Sequence, residues 1–479
     1  MIADLKPYPE TKESGLPWLG KVPKHWPVLP TRALFAEVND RGHSDEEMLS
    51  VTITKGIIRQ KALLSDSSKK DSSRKDKSAY KLVQPRDIAY NKMRAWQGAI
   101  GASELRGIIS PAYIVMRLRN EHNLPGYFHH LFRTPHFAKE AEQWSYGITS
   151  DMWSLRPEHF KMIYTPEPPP EEQAAIVRFL EWASGRLEKA IRAKRKVITL
   201  LNEQKQAIIH RAVTGQRSEV GGQKSDVKMK DSGIPWLGKI PEHWEVKRLK
   251  TLSNFVTSGS RGWANFYSDT GSVFLRIGNI STTSVDLRLN RITYVNPPAD
   301  SEGERTRAKA NDILLSITAQ IGAVGVVPDG FGEAFVNQHT ALIRLRLGSS
   351  FPRWVAYVLL SRFGKQQCQL LTNGGTKIGL TLDDVRCLGI ICPPYEEQER
   401  IVSEIEHQVC AINTAISRLE REIELLREYR TRLVADVVSG KLDVRAAAAN
   451  LLDEEFPVAE PDATALDDTG LLDESDTEE

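Results

Sequence analysis

SGLPWLGKVPKHW at residues 14–26 returns as SGIPWLGKIPEHW at residues 232–244, with ten of the thirteen positions identical at an offset of 218. A second block, PPEEQAAI (169–176), returns as PYEEQERI (394–401) at an offset of 225. That match runs on until Val213-Thr214-Gly215 corresponds to Val438-Ser439-Gly440. Between the blocks the likeness is thin but in order. Arg86-Asp87-Ile88 answers to Asn311-Asp312-Ile313, Ile100-Gly101 to Ile321-Gly322, Met116-Arg117-Leu118 to Ile343-Arg344-Leu345, and Gly147-Ile148-Thr149 to the neighbourhood of Gly374-Gly375-Thr376. A repeat of roughly 220 residues far exceeds the 20–50 of a solenoid unit, so the chain is one domain-plus-connector, duplicated. Matching edges around divergent middles suit a shared scaffold that carries two different recognition surfaces.

The middles, about 27–165 and 245–391, mix short apolar runs with turn signals. Gly107–Ile109, Ala112–Met116, Val273–Ile277 and Ile313–Ile317 read as strands, and Pro125–Arg133 and Pro352–Phe363 as helices. Each middle is expected to be an α/β globule.

The connectors are clearer. After Pro168-Pro169-Pro170 the acidic pair Glu171-Glu172 suits the positive end of a helix. Apolar residues then fall at Ile176, Leu180, Leu187, Ile191, Ile198, Leu201 and Ile208, a heptad-like seam. The second copy places Ile401, Ile405, Ile412, Ile416, Ile423, Leu426 and Leu433 at the same steps. Each run stops at a glycine, Gly215 or Gly440, as helices commonly do. About 40 helical residues make a rod of roughly 60 Å. A stripe that long needs a cover. The matching copy is the economical partner, paired antiparallel as a coiled coil; the alternative is that each helix packs on its own globule.

The net charge of +2 averages two unlike parts. Asp453–Glu479 holds twelve acidic residues and no Lys or Arg, which leaves 64 basic against 50 acidic residues in the body, about +14. A basic body with an acidic tail permits a polyanionic partner. No run of about 18 apolar residues exists to span a bilayer, and the first fifteen residues lack the apolar core of a secretory signal. The four cysteines (Cys368, Cys387, Cys392, Cys410) form no C-x-x-C pair, so neither a zinc site nor a disulfide scaffold is expected, and a reducing cytoplasm fits.

The doubled order of SGxPWLGxxPxHW, globule, P-P-x-E-E-Q and long heptad helix resembles the specificity subunit of type I restriction-modification systems, over about residues 13–445. The resemblance implies two α/β target recognition domains joined by two long helices in an antiparallel coiled coil, with an internal pseudo-twofold repeat. The corresponding boundaries are 1–168 and 232–393 for the recognition domains, 169–216 and 394–445 for the helices, 217–231 for a linker, and 446–479 for an acidic, disordered tail. Each domain would read one half of an asymmetric bipartite site in double-stranded DNA. Two modification (methyltransferase) subunits would dock on the scaffold, and restriction (translocase-nuclease) subunits would join them. S-adenosylmethionine, ATP and Mg would be held by those partners, with no cofactor, metal or catalytic residue in this chain and no membrane.

The residues agree that chemistry lies elsewhere. Asn296-Pro297-Pro298-Ala299 and Cys392-Pro393-Pro394-Tyr395 are near misses to the (D/N/S)-P-P-(Y/F) of adenine methyltransferases, lacking the aromatic and the oxygen acceptor respectively. No Gly-rich cofactor loop and no G-x-x-x-x-G-K-(S/T) is present. Glu245-Val246-Lys247 imitates a nuclease E-x-K without a preceding Pro-Asp and reads as the start of a strand.

DNA is held through Lys and Arg on phosphates and read by polar side chains on base edges. The candidates in the first globule are Lys69, Lys70, Arg74 and Lys75, in a polar run that also reads as a solvated face, and Lys92, Arg94 and Gln97 beside Trp96. In the second globule they are Arg261, Arg276, Asn279, Gln338 and Lys377, near Trp263, Gln320 and His339. The matched Gly-Ile-Thr and Gly-Gly-Thr loops suit phosphate or a plain turn. Trp18, Trp26, Trp236 and Trp244, shared by both copies, are expected to be packing anchors, and their surface is a candidate dock for the modification subunits. The rival reading is a scaffold whose two globules bind proteins, without sequence-specific DNA recognition.

Overall fold

The computed structural model describes residues 5–65, 77–147, 153–216, 228–259, 262–297, 301–372 and 379–451. In the first copy the elements that matter are β1 (Phe35–Val38), β2 (Leu49–Thr52), β3 (Gly56–Arg59), β4 (Ile88–Asn91), β5 (Ile100–Ala102), β6 (Tyr113–Leu118), α1 (Pro125–Phe132) and α2 (Pro170–Val213). In the second they are β7 (Ser253–Ser258), β8 (Ser272–Leu275), β9 (Ile313–Ser316), β10 (Val324–Val326), β11 (Ala334–Val336), β12 (Thr340–Leu345), α3 (Pro352–Leu360) and α4 (Tyr395–Val438). The chain divides into two compact units. The first takes residues up to Ala193 together with those from Arg421 on, and the second takes Lys194–Glu420.

The first unit is built on an antiparallel sheet of order β1-β6-β4-β5, in which Val115 faces Val38 on one side and Ala89 on the other. Its inner strands are buried on both faces and so read as continuous apolar runs, Ile88-Ala89-Tyr90 and Ile114-Val115-Met116. Helix α1 lays Phe128 and Phe132 against Phe35, and Phe160 stacks on Tyr90 at 5.0 Å. The second unit repeats the sheet order as β7-β12-β9-β10.

The thin matches between the copies are the pins of this sheet. Arg117 grips Asp87 with both ends of its guanidinium, Nε to Oδ1 at 2.7 Å and Nη2 to Oδ2 at 2.9 Å. Arg344 grips Asp312 in the same way at 2.8 and 2.6 Å. Such bidentate pairs are the strong ones, and each carboxylate also accepts a backbone N–H from the turn before it, Gln84 or Lys309. The expected helix over 352–363 ends at Leu360. Ser361 leaves the helical region there, and a second helix, Arg362–Thr372, follows a corner so tight that a Cβ on Gly364 would lie 2.2 Å from the Leu359 carbonyl oxygen.

Both long helices run 44 residues. Within the first unit the early part of α2 lies antiparallel to the late part of α4. Glu188 pairs with Arg430 at 3.0 Å, while the earlier Ile176 and Leu180 share a core with the later Leu433, Val437 and Val438. Within the second unit Lys205 donates to Asn413 at 2.7 Å, and the later Ile209 and Val213 share a core with the earlier Ile401, Ile405 and Val409. Of the seam positions, Ile176, Leu180, Leu187, Ile191, Ile401, Ile405, Ile412, Ile423 and Leu433 are buried. Ile198, Leu201, Ile208, Ile416 and Leu426 are half-buried. A second apolar row (Phe179, Ala183, Ile209, Val213, Val402, Val409, Val437) widens the stripe, so each helix end packs on a globule as well as on the other helix.

The repeated blocks meet in sockets. Glu172 accepts from Tyr8 Oη at 2.9 Å and Trp26 Nε1 at 2.9 Å, with His25 Nε2 at 2.6 Å and Arg445 Nη1 at 3.5 Å. Glu397 takes His243 Nε2 at 2.9 Å and Trp244 Nε1 at 3.3 Å. The neighbouring glutamines are buried and cap the globule helices. Gln173 accepts from the Leu124 N–H at 2.8 Å and Gln398 from the Phe351 N–H at 2.9 Å, the residues preceding α1 and α3. The glycine that ends each long helix closes a socket too: Gly440 lies against Pro23 and Trp26, and Gly215 against Pro241 and Trp244.

Candidate nucleic-acid interface

Strand β4 runs into a tight loop that ends at β5. Asn91 Oδ1 accepts from the Met93 N–H at 3.0 Å, a single 3₁₀ turn spans Ala95–Gln97, and Gly98 reverses the chain at φ +92°. Trp96 anchors the loop, donating to the Met93 carbonyl at 3.0 Å and meeting Trp153 edge-on at 5.5 Å. On this frame Arg94 is exposed and donates to Gln97 Oε1 at 3.1 Å, which leaves the Gln97 amide N–H groups beside a guanidinium at the surface. Lys92 is half-buried, and its carbonyl accepts from the Leu155 N–H at 2.8 Å. A cation and an amide held side by side are the donor set that base edges and phosphates accept from.

The same topological place in the second unit, between β9 and β10, carries different chemistry. Gln320 is exposed in a left-handed conformation (φ +53°), one that a residue with a side chain rarely adopts. Thr318 Oγ1 lies 3.0 Å from His339 Nδ1, and Gln338 donates to His339 Nε2 at 3.1 Å, so Thr318, Gln338 and His339 are one linked group. Nearby stands a sheet without counterpart among the described residues of the first unit. Its order is Tyr267–Ser268, Thr293–Val295, β8, β11, Arg307–Ala308, over a core of Trp263, Phe274, Val295 and Phe335. Arg276 lies over the Tyr267 ring at 5.8 Å, at the exposed rim of that sheet.

Residues 241–425 match the family described as the type I restriction modification DNA specificity domain. The chain is similar to curated type I specificity subunits. It is 25% identical to the putative type I restriction enzyme MjaX specificity subunit of Methanocaldococcus jannaschii over 61% of this chain and 62% of that protein. It is 22% identical to the EcoBI specificity subunit of Escherichia coli over 60% of each. These alignments span about three fifths of the relatives' own lengths. A chain solved in work on complex assembly and conformational transition of the type I R-M system has the same fold, at a TM-score of 0.54 and 15% identity over 87% of this chain and 98% of that one.

The candidate residues sort unevenly. Lys92, Arg94 and Gln97 come together on one loop, and Gln338 joins the Thr318–His339 group. Lys69, Lys70, Arg74, Lys75, Arg261 and Lys377 lie outside the described residues, as do most of the two Gly-Thr loops and the acidic tail. Asn279 is corrected: it is buried, its Oδ1 accepts from the Arg276 N–H at 3.0 Å, and its Nδ2 donates to the carbonyls of Arg288 and Arg291. It clamps a loop and has no amide N–H left for a base edge. Trp236 is corrected too. It is 44% exposed, whereas Trp26 and Trp244 are buried. Phe266 and Tyr267, exposed beside Arg276, were not among the candidates, because an aromatic pair carries no periodic signal. Nor was the exposed Ile53–Thr54 tip of the β2–β3 hairpin, which has no charge to draw attention.

Among the described residues no group of three or more His, Cys, Asp or Glu side chains is placed to hold a metal ion. No described helix is long and apolar enough to cross a membrane.

Proposed function

We propose that this chain reads double-stranded DNA for a type I restriction-modification complex, each unit reading one half of an asymmetric bipartite site. The observation that carries the reading is one sheet order built twice, with unlike side chains at the same loop: Lys92, Arg94 and Gln97 in one copy, Thr318 and Gln320 in the other. Equal scaffolds with unequal surfaces are what two different half-sites require, and protein geometry fixes the spacing between them. The two long helices set the number of unread base pairs.

Two modification subunits dock on the repeated parts. Leu200 and Leu425 occupy equivalent places in the two helices and are 53% and 47% exposed, an apolar surface offered once per copy. Restriction subunits join through that complex. Methyl transfer and ATP-driven translocation, with S-adenosylmethionine, ATP and Mg, belong to the partners, and the chain works in the cytoplasm.

Co-expression with the cognate modification subunit, followed by methylome sequencing, tests this. The expected result is methylation at one bipartite motif with two different halves. A palindromic motif, a contiguous one, or methylation without sequence preference refutes it.

A further inference from the structure

Arg133, the residue that ends α1, has an unusual set of partners. Its Nη2 donates to the carbonyls of Ile53 and Thr54, both at 2.7 Å, and its Nη1 to those of Ile100 at 3.0 Å, Gly98 at 3.3 Å and Thr52 at 3.4 Å. Three of these five oxygens belong to the β2–β3 turn and two to the end of the Lys92–Gln97 loop. Among the described residues no carboxylate pairs with the guanidinium. Burial lowers its pKa to about 10, so it remains a cation at neutral pH while having lost much of its water. A desolvated charge without a counter-ion is costly unless its hydrogen bonds are all made. Here both terminal nitrogens bond to backbone carbonyls.

One turn earlier on α1, His129 is wedged between the same two segments. A Cβ on either Gly56 or Gly101 would lie 3.0 Å from its ring, and its Nδ1 accepts from the Ala102 N–H at 3.2 Å. Above this peg the chain turns outward. Ile53 is 43% exposed and Thr54 is exposed at the hairpin tip, and Arg94 is exposed on the neighbouring loop. An exposed isoleucine on a pinned turn fits a thymine methyl, and a hydroxyl and a guanidinium beside it fit base-edge acceptors. Counting from the prolines that start α1 and α3, the equivalent of Arg133 in the second unit is Leu360, which is buried.

We infer that Arg133 is the positioning residue of the first half-site, locking the Ile53–Thr54 turn and the Arg94–Gln97 loop into one reading surface. The inference rests on the DNA-reading function proposed above. In the second unit a buried leucine, Leu360, stands at the clamp's place.

The test uses the full chain in complex with its modification subunits and three duplexes: the methylated motif, and that motif scrambled in its first or its second half. With Arg133→Lys, which keeps the charge but not the fork, affinity for the motif falls about tenfold or more, the cost of roughly one lost base contact. Affinity for the first-half scramble stays as in wild type, so discrimination is lost at that half alone. Hydrogen exchange rises together at 52–56 and 95–100. The double variant Ile53→Ala, Thr54→Ala leaves every clamp carbonyl in place and loses the same discrimination. Discrimination retained by either variant overturns the inference, as does a parallel fall on all three duplexes, the signature of a merely structural role. A wild-type complex that discriminates against neither scramble overturns the DNA-reading function itself.

Discussion

Replacing Gly440 by alanine tests the closure of the first unit on the end of α4. Gly440 has φ +76°, and a Cβ there would sit 2.2 Å from Pro23 Cδ, 2.6 Å from Pro23 Cγ and 2.8 Å from Trp26 Cζ3. The left-handed backbone costs an alanine about 1 kcal/mol. The contact adds to this, because Trp26 is fully buried and its indole is tied to Glu172, so the ring cannot retreat freely. Overpacking of that kind costs about 1–3 kcal/mol.

Gly20→Ala supplies the control. Its φ is +68°, and nothing lies within 4 Å of the added carbon. The difference between the two variants therefore isolates the close approach at about 1–3 kcal/mol, or roughly 5- to 150-fold in the opening equilibrium. Hydrogen exchange at Ile88–Asn91 reads the first unit, and Ile313–Ser316 serves as the internal reference. Gly215→Ala, against Pro241 and Trp244, with Gly238→Ala as its control, should reproduce the effect with the two readouts exchanged. Equal losses for Gly440→Ala and Gly20→Ala would refute the closure of the socket by the helix end.

Two further outcomes follow from the buried groups. Glu172→Gln leaves the Tyr8 hydroxyl, the His25 ring and the Trp26 indole around a neutral amide, and should lower the first unit's stability by about 1–3 kcal/mol in urea unfolding. Glu397→Gln perturbs the matching socket around His243 and Trp244 and should lower the second unit's stability instead. Burial pushes His129 down to about 3 and His130 to about 4, so both are neutral in the folded unit and take up protons near pH 6.5 when it unfolds. The unfolded state binds more protons below that pH. Stability is therefore full above about 6.5 and is lost as the pH falls toward 4, by several kcal/mol. His129→Gln with His130→Gln should flatten that slope at the first unit's amides; an unchanged slope would place the titration elsewhere.

What could be read from the sequence was what the architecture uses twice. The His-Trp and Glu-Gln blocks stand 146 residues apart in one copy and 153 in the other, yet they are the two halves of one socket, and a socket built twice preserves both halves in both copies. The sparse matches between them, Arg86-Asp87 with Arg117 and Asn311-Asp312 with Arg344, are likewise a single bidentate pin seen at two places in the chain. The helix seam was visible because 3.5-residue spacing survives in one dimension. Its second row was not, because Phe179, Ile209 and Val409 make sense only once a globule lies against them.

The candidate interface is harder to read for the opposite reason. A base-reading surface gains nothing from being repeated, so it leaves no internal match, and its supports work through backbone oxygens that every residue has. Asn279 and Arg133 make the point from both sides. The asparagine has a reader's chemistry and spends it on carbonyls nearby, whereas the arginine sits after a helix with no sign in sequence that five carbonyls converge on it. Side-chain type alone therefore misassigns both. The distinction between a residue that meets DNA and one that holds such a residue in place comes from counting which hydrogen-bonding groups remain unspent.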